Sequence, residues 1–152
     1  MTTKADFNAE EWATLVEAPL LAAMGVATAE RGGTIRESMA VARAYAEARR
    51  HQGDSELLDA MVASPPALDP ARLSQGGGNL AGVARTRLAD AIRVLETKAT
   101  EDERTAYKQF VLTVAEAAAG ANREGGFIGI GGKPVSANEQ ATLEELRSTL
   151  NV

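Results

Sequence analysis

The chain has 152 residues, a formal net charge of −5 and no cysteine. Its length is typical of one domain, and a domain of this size buries roughly 68–70% of the surface that its unfolded chain exposes. The acidic balance, without a basic block, excludes nucleic acid as the main partner, and the lack of cysteine excludes disulfides, thiolate metal sites and a thiol nucleophile.

Aromatic residues make up only 4% of the chain. The core must therefore be built from Leu, Val, Ile and Ala, which favours closely packed helices over a sheet. Residues 1–8 carry one lysine and no apolar run, and no run of about 18 apolar residues occurs anywhere in the chain. The sequence predicts no signal peptide and no transmembrane segment, and a cytoplasmic location is the simplest interpretation.

Four capping-box patterns mark predicted helix starts. In each pattern the capping side chain can accept a hydrogen bond from a free backbone N–H at the start of the helix. Three residues later, a glutamate side chain can accept a hydrogen bond from the N–H of the capping residue. The pairs are Asn8 with Glu11, Thr34 with Glu37, Thr100 with Glu103, and Ser136 with Glu139. We expect a helix to begin at each of these four positions.

The first predicted helix carries a hydrophobic staple and an apolar face. Phe7 and Trp12 occupy the two staple positions around the cap at Asn8. The apolar face consists of Trp12, Leu15, Val16, Leu20, Met24 and Ala27. Pro19 lies within this helix, and we expect it to bend the helix or to end it early.

Residues 54–98 form a predicted connecting segment that proline and glycine interrupt. Asp54 to Ala63 reads as a short helix capped by Asp54, and the prolines of "SPPALDP" at 64–70 predict an extended turn. After "GGGN" at 76–79, the run from Asn79 to Lys98 has apolar residues at helical spacing. These are Leu80, Val83, Ala84, Leu88, Ala91, Ile92 and Leu95.

The second half repeats the order of the first: a capping box, an amphipathic helix, an acid with Gly-Gly, and a second capping box. Its apolar face consists of Tyr107, Phe110, Val111, Val114, Ala115 and Ala118. We predict a compact all-α bundle of five to seven helices in a single domain, 1–152. Two helical hairpins, 8–51 and 100–150, would pack together, with residues 79–98 covering the remaining side. Internal duplication is one explanation of the repeat, and chance similarity between amphipathic helices is the other.

The first turn, "ATAERGGTIRE" at 27–37, resembles the helix-turn-helix unit of the TerB-like family, bacterial helical proteins named after a tellurite-resistance protein. Residues 110–146 also resemble a group of uncharacterised bacterial proteins with a Glu-Gly-Gly loop before a Val-Ser-x-x-Glu helix start. The TerB-like resemblance implies a helical, stress-associated protein. It also implies acidic residues near the turns that have been linked to divalent metals. Here Glu30 in one turn, and Asn122 or Glu124 in the other, stand where the family has aspartate.

The turn of the second half, "REGGFIGIGGKPVS" at 123–136, is rich in glycine. It is not a nucleotide site, because the phosphate-binding pattern that ends at Gly132-Lys133 needs glycine at Phe127 and a hydroxyl residue at Pro134. A helix rather than a strand also precedes it. Its apolar residues either fold back into the protein or bind a partner or a second copy of the chain. The candidate interaction residues are Phe127, Ile128, Ile130 and Lys133.

Candidate catalytic groups are few. His51 is the only histidine, and it lies beside two arginines at a predicted helix end, where a cationic side chain stabilises the last carbonyls. A Ser-His-acid triad would need this histidine, but no serine of the chain stands in a nucleophile-elbow sequence. The acids at 101–103 are explained by a first helical turn, whose dipole favours carboxylates. We therefore predict no catalytic residues.

A divalent metal bound by carboxylates, with or without catalysis, is the main alternative. If the two turns lie close together, four glutamates could bind Ca²⁺, Mg²⁺ or Mn²⁺, which prefer oxygen ligands. These are Glu30, Glu37, Glu124 and Glu139. Since two of them belong to capping boxes, the sequence favours a non-catalytic binding module without a cofactor and with an unknown partner. A protein that self-assembles through the glycine-rich loop is a third alternative.

Overall fold

A computed structural model describes residues 2–27, 34–50, 53, 55–63, 80–120 and 137–152. Within these ranges the backbone forms a short 3₁₀ helix and six α-helices, and no strand. The 3₁₀ helix is Lys4–Asp6, and the α-helices are α1 Ala9–Ala27, α2 Thr34–Arg50, α3 Glu56–Ala63, α4 Leu80–Lys98, α5 Glu101–Gly120 and α6 Ala137–Leu150. The predicted all-α bundle of five to seven helices is confirmed.

Helix α1 lies at the centre of the packing. It contacts mainly α4 and α5, whereas α4 and α5 contact each other little although only Ala99 and Thr100 join them. The two helices therefore diverge from their connection, and α1 packs against both. Helix α2 packs mainly on α5, and α6 contacts α4, α5 and α1. The division into hairpins 8–51 and 100–150 stays a prediction.

The predicted apolar face of α5 is confirmed, because all six of its residues are buried. On α1 the buried surface is wider than the predicted face. Leu15 and Val16 are buried as expected, but so are five further residues with aliphatic side chains, whereas Leu20 and Met24 are only partly buried. The further residues are Ala18, Leu21, Ala22, Ala23 and Val26. A helix with neighbours on several sides buries more than one stripe.

Small residues bring α1 and α4 together at Gly25. A Cβ atom at this position would lie 3.5 Å from the Cα of Ala81 and 3.6 Å from the Cβ of Ala84. These are ordinary van der Waals distances, so the backbones are close and a methyl group would still fit.

Pro19 does not end α1, which continues through it to Ala27. The alternative that α1 ends early is therefore wrong. Proline has no N–H, so the carbonyl of Leu15, four residues earlier, lacks its helical donor. The hydroxyl of Tyr107 on α5 donates to this carbonyl at 2.9 Å. A side chain of the neighbouring helix thus replaces the missing backbone hydrogen bond.

A second buried phenol lies near Tyr107. The ring of Tyr45 on α2 makes an edge-to-face contact with Phe110, with ring centroids 5.2 Å apart. Burial raises the pKa of Tyr45 to about 12, and burial together with the phenol of Tyr45 raises the pKa of Tyr107 well above its usual range. Within the described residues the Tyr45 hydroxyl has no hydrogen-bond partner. The two tyrosines therefore differ, because only the Tyr107 hydroxyl contributes a hydrogen bond with a described residue to the stability of the fold.

Two of the four capping boxes can be checked, and both are confirmed. Asn8 Oδ1 accepts from the N–H of Glu11 at 2.8 Å, and a Glu11 carboxylate oxygen accepts from the N–H of Asn8 at 2.9 Å. Thr100 and Glu103 make the same reciprocal pair at 3.3 and 2.9 Å. The side chains of Thr34 and Glu37, and all of Ser136, lie outside the described residues.

The staple is also confirmed, with the Phe7 and Trp12 ring centroids 6.0 Å apart. Helix α3 begins at Glu56, later than predicted. Ser55 acts as its cap, because the Ser55 carbonyl accepts from the N–H of Asp59 at 2.9 Å and its hydroxyl oxygen lies 3.4 Å from the N–H of Leu58.

The N-terminal segment, residues 2–8, is held against the α4–α5 connection. The N–H and the hydroxyl of Thr2 each donate to the Glu103 carboxylate at 2.6 Å. Lys98 Nζ donates to the carbonyl of Asp6 at 3.0 Å and to Glu11 at 2.6 Å. These contacts fix the point from which α4 and α5 diverge.

Candidate binding site

The predicted metal ligands are only partly described. Glu30 and Glu124 lie outside the described residues, and Glu37 lies in α2 with its side chain outside them. Glu139 lies in the first turn of α6 and is 1% exposed. Among the described residues, no three His, Cys, Asp or Glu side chains form a group that could hold a metal ion. The metal site therefore stays a prediction.

The predicted interaction loop also lies outside the described residues, and so does His51. The loop residues concerned are Phe127, Ile128, Ile130 and Lys133. Both alternatives, that these residues pack inside the protein and that they bind a partner, stay predictions.

Where α4 and α5 diverge, the structure forms a surface cleft with a volume of about 150 Å³, which we call the α4–α5 cleft. Its lining residues are Ile92, Leu95 and Glu96 from α4, and Glu101, Arg104, Thr105 and Lys108 from α5. The second and third residues of each set lie three and four positions after its first residue, and Lys108 lies seven after Glu101, which places each set on one helical face. The cleft thus lies between two helices that share little direct contact.

The floor of the cleft is apolar. Leu95 is 1% exposed and belongs to the core, and Ile92 is partly buried and packs against the same core. The floor therefore continues the hydrophobic interior of the protein to the surface.

The rim of the cleft carries two acids and two bases. Glu101 lies beside the α4–α5 connection, and Lys108 lies seven residues further along α5, which is about 10 Å at 1.5 Å per residue. Arg104 lies between them, and Glu96 is on α4 two residues before its end at Lys98. The acids therefore lie towards the connection and the bases extend away from it.

None of these four charged side chains makes an ion pair or a hydrogen bond with another described residue. Several other described cations, by contrast, are paired. Arg147, for example, bonds to Glu144 at 2.7 Å and to Glu116 at 3.0 Å. A ligand could therefore bind these rim charges without breaking a contact to another described residue.

Size limits what the cleft can hold. Pockets for drug-sized molecules and cofactors occupy about 300–1,000 Å³, twice or more the volume of the α4–α5 cleft. One large apolar side chain, with charged neighbours at the rim, matches its size and lining better than a cofactor does.

The cleft is not predicted by the sequence pattern. Glu101 is explained there by the helix dipole, and Ile92 and Leu95 belong to the predicted apolar face of their helix. The shared face of Glu101, Arg104 and Lys108 was visible in the spacing. The divergence of α4 from α5 was not, because it depends on how α1 packs against both.

In the part of the chain that the structure describes, no helix is both long enough and apolar enough to cross a membrane. Comparison of the chain with protein-family models, with curated proteins and with solved structures gives no match.

Proposed function

We propose that this protein is a non-catalytic helical binding module that holds a partner protein at the α4–α5 cleft. The observation that carries the proposal is a set of four rim charges, paired with no other described residue, around an apolar floor. Protein interfaces combine these two elements, with an apolar centre surrounded by a polar rim. The resemblance of residues 27–37 to the TerB-like family supports the same class of function, and membership of that family is part of the proposal.

The cleft is built on a well-packed and hydrogen-bonded part of the molecule, which favours a binding role. Its floor belongs to the core through Leu95, and its narrow end is fixed by the hydrogen bonds of Thr2 and Thr100 to Glu103. A preformed site loses little conformational entropy when it binds, so a small contact area can still give useful affinity.

Site-specific photo-crosslinking tests the proposal. Thr105, an exposed residue of the cleft, is replaced by p-benzoylphenylalanine, and the protein is irradiated in an extract of its source cells. The matched control carries the same group at Met39, which is 57% exposed and lies on α2, a helix that contributes no residue to the cleft lining.

We expect one discrete protein adduct from position 105 and none of the same mass from position 39. The adduct should disappear when Arg104 and Lys108 are both changed to glutamate. Adducts that form equally from both positions, or that survive the charge reversal, would show that the cleft is not the binding surface.

A further inference from the structure

We infer that the element bound at the α4–α5 cleft is an amphipathic helix of the partner, carrying one large apolar side chain between a cation and an anion. This inference rests on the proposed function and specifies the chemistry of the partner. It follows from the shape of the cleft, from its volume and from the order of its rim charges.

The shape of the cleft favours a helix. Two helices that diverge leave a groove on each side, and side chains of a third helix pack into such grooves. Within this protein α1 and α6 each pack against both α4 and α5. A helix from the partner would pack against α4 and α5 at the cleft in the same manner, as in other helix-in-groove complexes.

The cleft volume of about 150 Å³ limits the size of the apolar side chain that the partner can insert, which we call the anchor. The floor offers Ile92 and the edge of Leu95, which contact apolar groups and provide no hydrogen bond. A single Leu, Met or Phe side chain would bury apolar area there, at roughly 25 cal/mol per Å² removed from water.

The rim charges determine which charged residues flank the anchor on the partner helix. A cation near the connection would lie beside Glu96 and Glu101, and an anion at the open end would lie beside Lys108, beyond Arg104. The distance from Glu101 to Lys108 is about 10 Å along α5. On a partner helix, two charges seven residues apart are separated by the same distance and lie on one face with an apolar residue between them.

Synthetic helical peptides test this arrangement. Four alanine-based peptides are compared; three carry a central leucine and differ only in their two charged positions, and the fourth lacks the leucine. The first has one lysine and one glutamate seven residues apart, the second two lysines, the third two glutamates, and the fourth is the first peptide with leucine replaced by alanine. Affinity for the full-length protein is measured by fluorescence anisotropy.

Two protein variants accompany the wild type. The cleft variant has Arg104→Glu and Lys108→Glu. The control variant has Arg50→Glu and Arg93→Glu, which change two arginines outside the cleft that are each 77% exposed and so alter the net charge equally. Circular dichroism checks that both variants fold.

For the wild type and the control variant, we expect the lysine–glutamate peptide to bind about fivefold or more tightly than the other three. In the two-lysine and two-glutamate peptides one contact with the rim changes from attraction to repulsion. In the fourth peptide the apolar anchor is lost. For the cleft variant, whose rim is entirely acidic, the two-lysine peptide should bind best. Equal binding of the four peptides, or an unchanged order in the cleft variant, would overturn the inference. If crosslinking from position 105 still captured a partner, the proposed function would stand and only the helical, mixed-charge chemistry would be wrong.

Discussion

Glu103 joins three parts of the chain through one carboxylate. It accepts hydrogen bonds from the backbone and hydroxyl of Thr2 and from the backbone of Thr100, and it is 8% exposed. Because hydrogen bonds to a charged group contribute about 1.5–3 kcal/mol, Glu103→Gln should lower the free energy of unfolding by about 2–3 kcal/mol at pH 7. Urea denaturation measures this. Asp102→Asn, at an exposed neighbour in the same helical turn, is the control and should change stability by less than about 0.5 kcal/mol.

The effect of Glu103 should depend on pH. Burial alone would raise the pKa of this carboxyl, but the hydrogen bonds from Thr2 and Thr100 outweigh it and lower the pKa to about 2 from an ordinary value of 4.5. A carboxyl with a lowered folded-state pKa stabilises the fold fully above its unfolded-state pKa and loses that contribution as the pH falls through the folded-state value. The stability difference between wild type and Glu103→Gln should therefore be constant above about pH 5 and shrink towards pH 2. A difference that stays constant down to pH 2 would contradict this assignment.

The two buried tyrosines give a matched pair of substitutions. Tyr107→Phe removes the donor to the Leu15 carbonyl and leaves that buried group unpaired, which should cost about 1–3 kcal/mol. Tyr45→Phe removes a hydroxyl that has no partner among the described residues, so it should be neutral or slightly stabilising. Thermal or urea unfolding of the two variants measures the difference, and equal losses would show that the Tyr107 hydrogen bond contributes nothing.

Pro19→Ala provides a further test of the same contact. Alanine restores the N–H that can bond to the Leu15 carbonyl, so Tyr107→Phe should cost less in this background than in the wild type. A double-mutant cycle gives the interaction energy between positions 19 and 107.

At the scale of helices, the contact between α1 and α4 depends on small residues at Gly25, Ala81 and Ala84. Because a Cβ at Gly25 would meet its neighbours at 3.5 and 3.6 Å, an added methyl group fits without a clash. Gly25→Ala should therefore stabilise the protein by about 0.5–1 kcal/mol through helix propensity. A decrease in melting temperature would show that the two helices lie closer together in solution.

The helices themselves could be predicted largely from local sequence. Capping at Asn8 and at Thr100 uses residues only three positions apart, so their hydrogen bonds follow from the chain's own spacing. The buried face of α5 likewise follows from its periodicity. The continuation of α1 past Pro19 could not be predicted from local sequence, because the hydrogen bond that replaces the missing one comes from Tyr107, 88 residues further along the chain. The cleft could not be predicted for the same reason: its shape comes from the packing of α1 against two other helices.

At the scale of the whole molecule, the carboxylate metal site remains a separate prediction with its own test. Glu139 is 1% exposed at the start of α6, and capping glutamates already have hydrogen-bonding roles. We expect micromolar Ca²⁺, Mg²⁺ or Mn²⁺ to leave the melting temperature unchanged. A ligand that binds only the folded state raises the melting temperature. A clear increase that is absent in Glu124→Gln would therefore favour the metal-binding alternative.

Helix α1 packs against both α4 and α5 and contributes buried alanines and leucines to the core. The α4–α5 cleft presents an apolar floor and four charged side chains that pair with no other described residue. We propose that a partner binds at this cleft.

Nuclear magnetic resonance of the ¹⁵N-labelled protein in an unlabelled extract of its source cells tests that claim most directly. Binding of a large partner broadens amide signals first at the contact surface. We predict that signals from residues 92–108 lose intensity before those of α2 around Met39, and that Arg104→Glu with Lys108→Glu restores them. Uniform broadening, or a loss centred on α2 that the double substitution leaves unchanged, would contradict the assignment of the cleft as the binding surface.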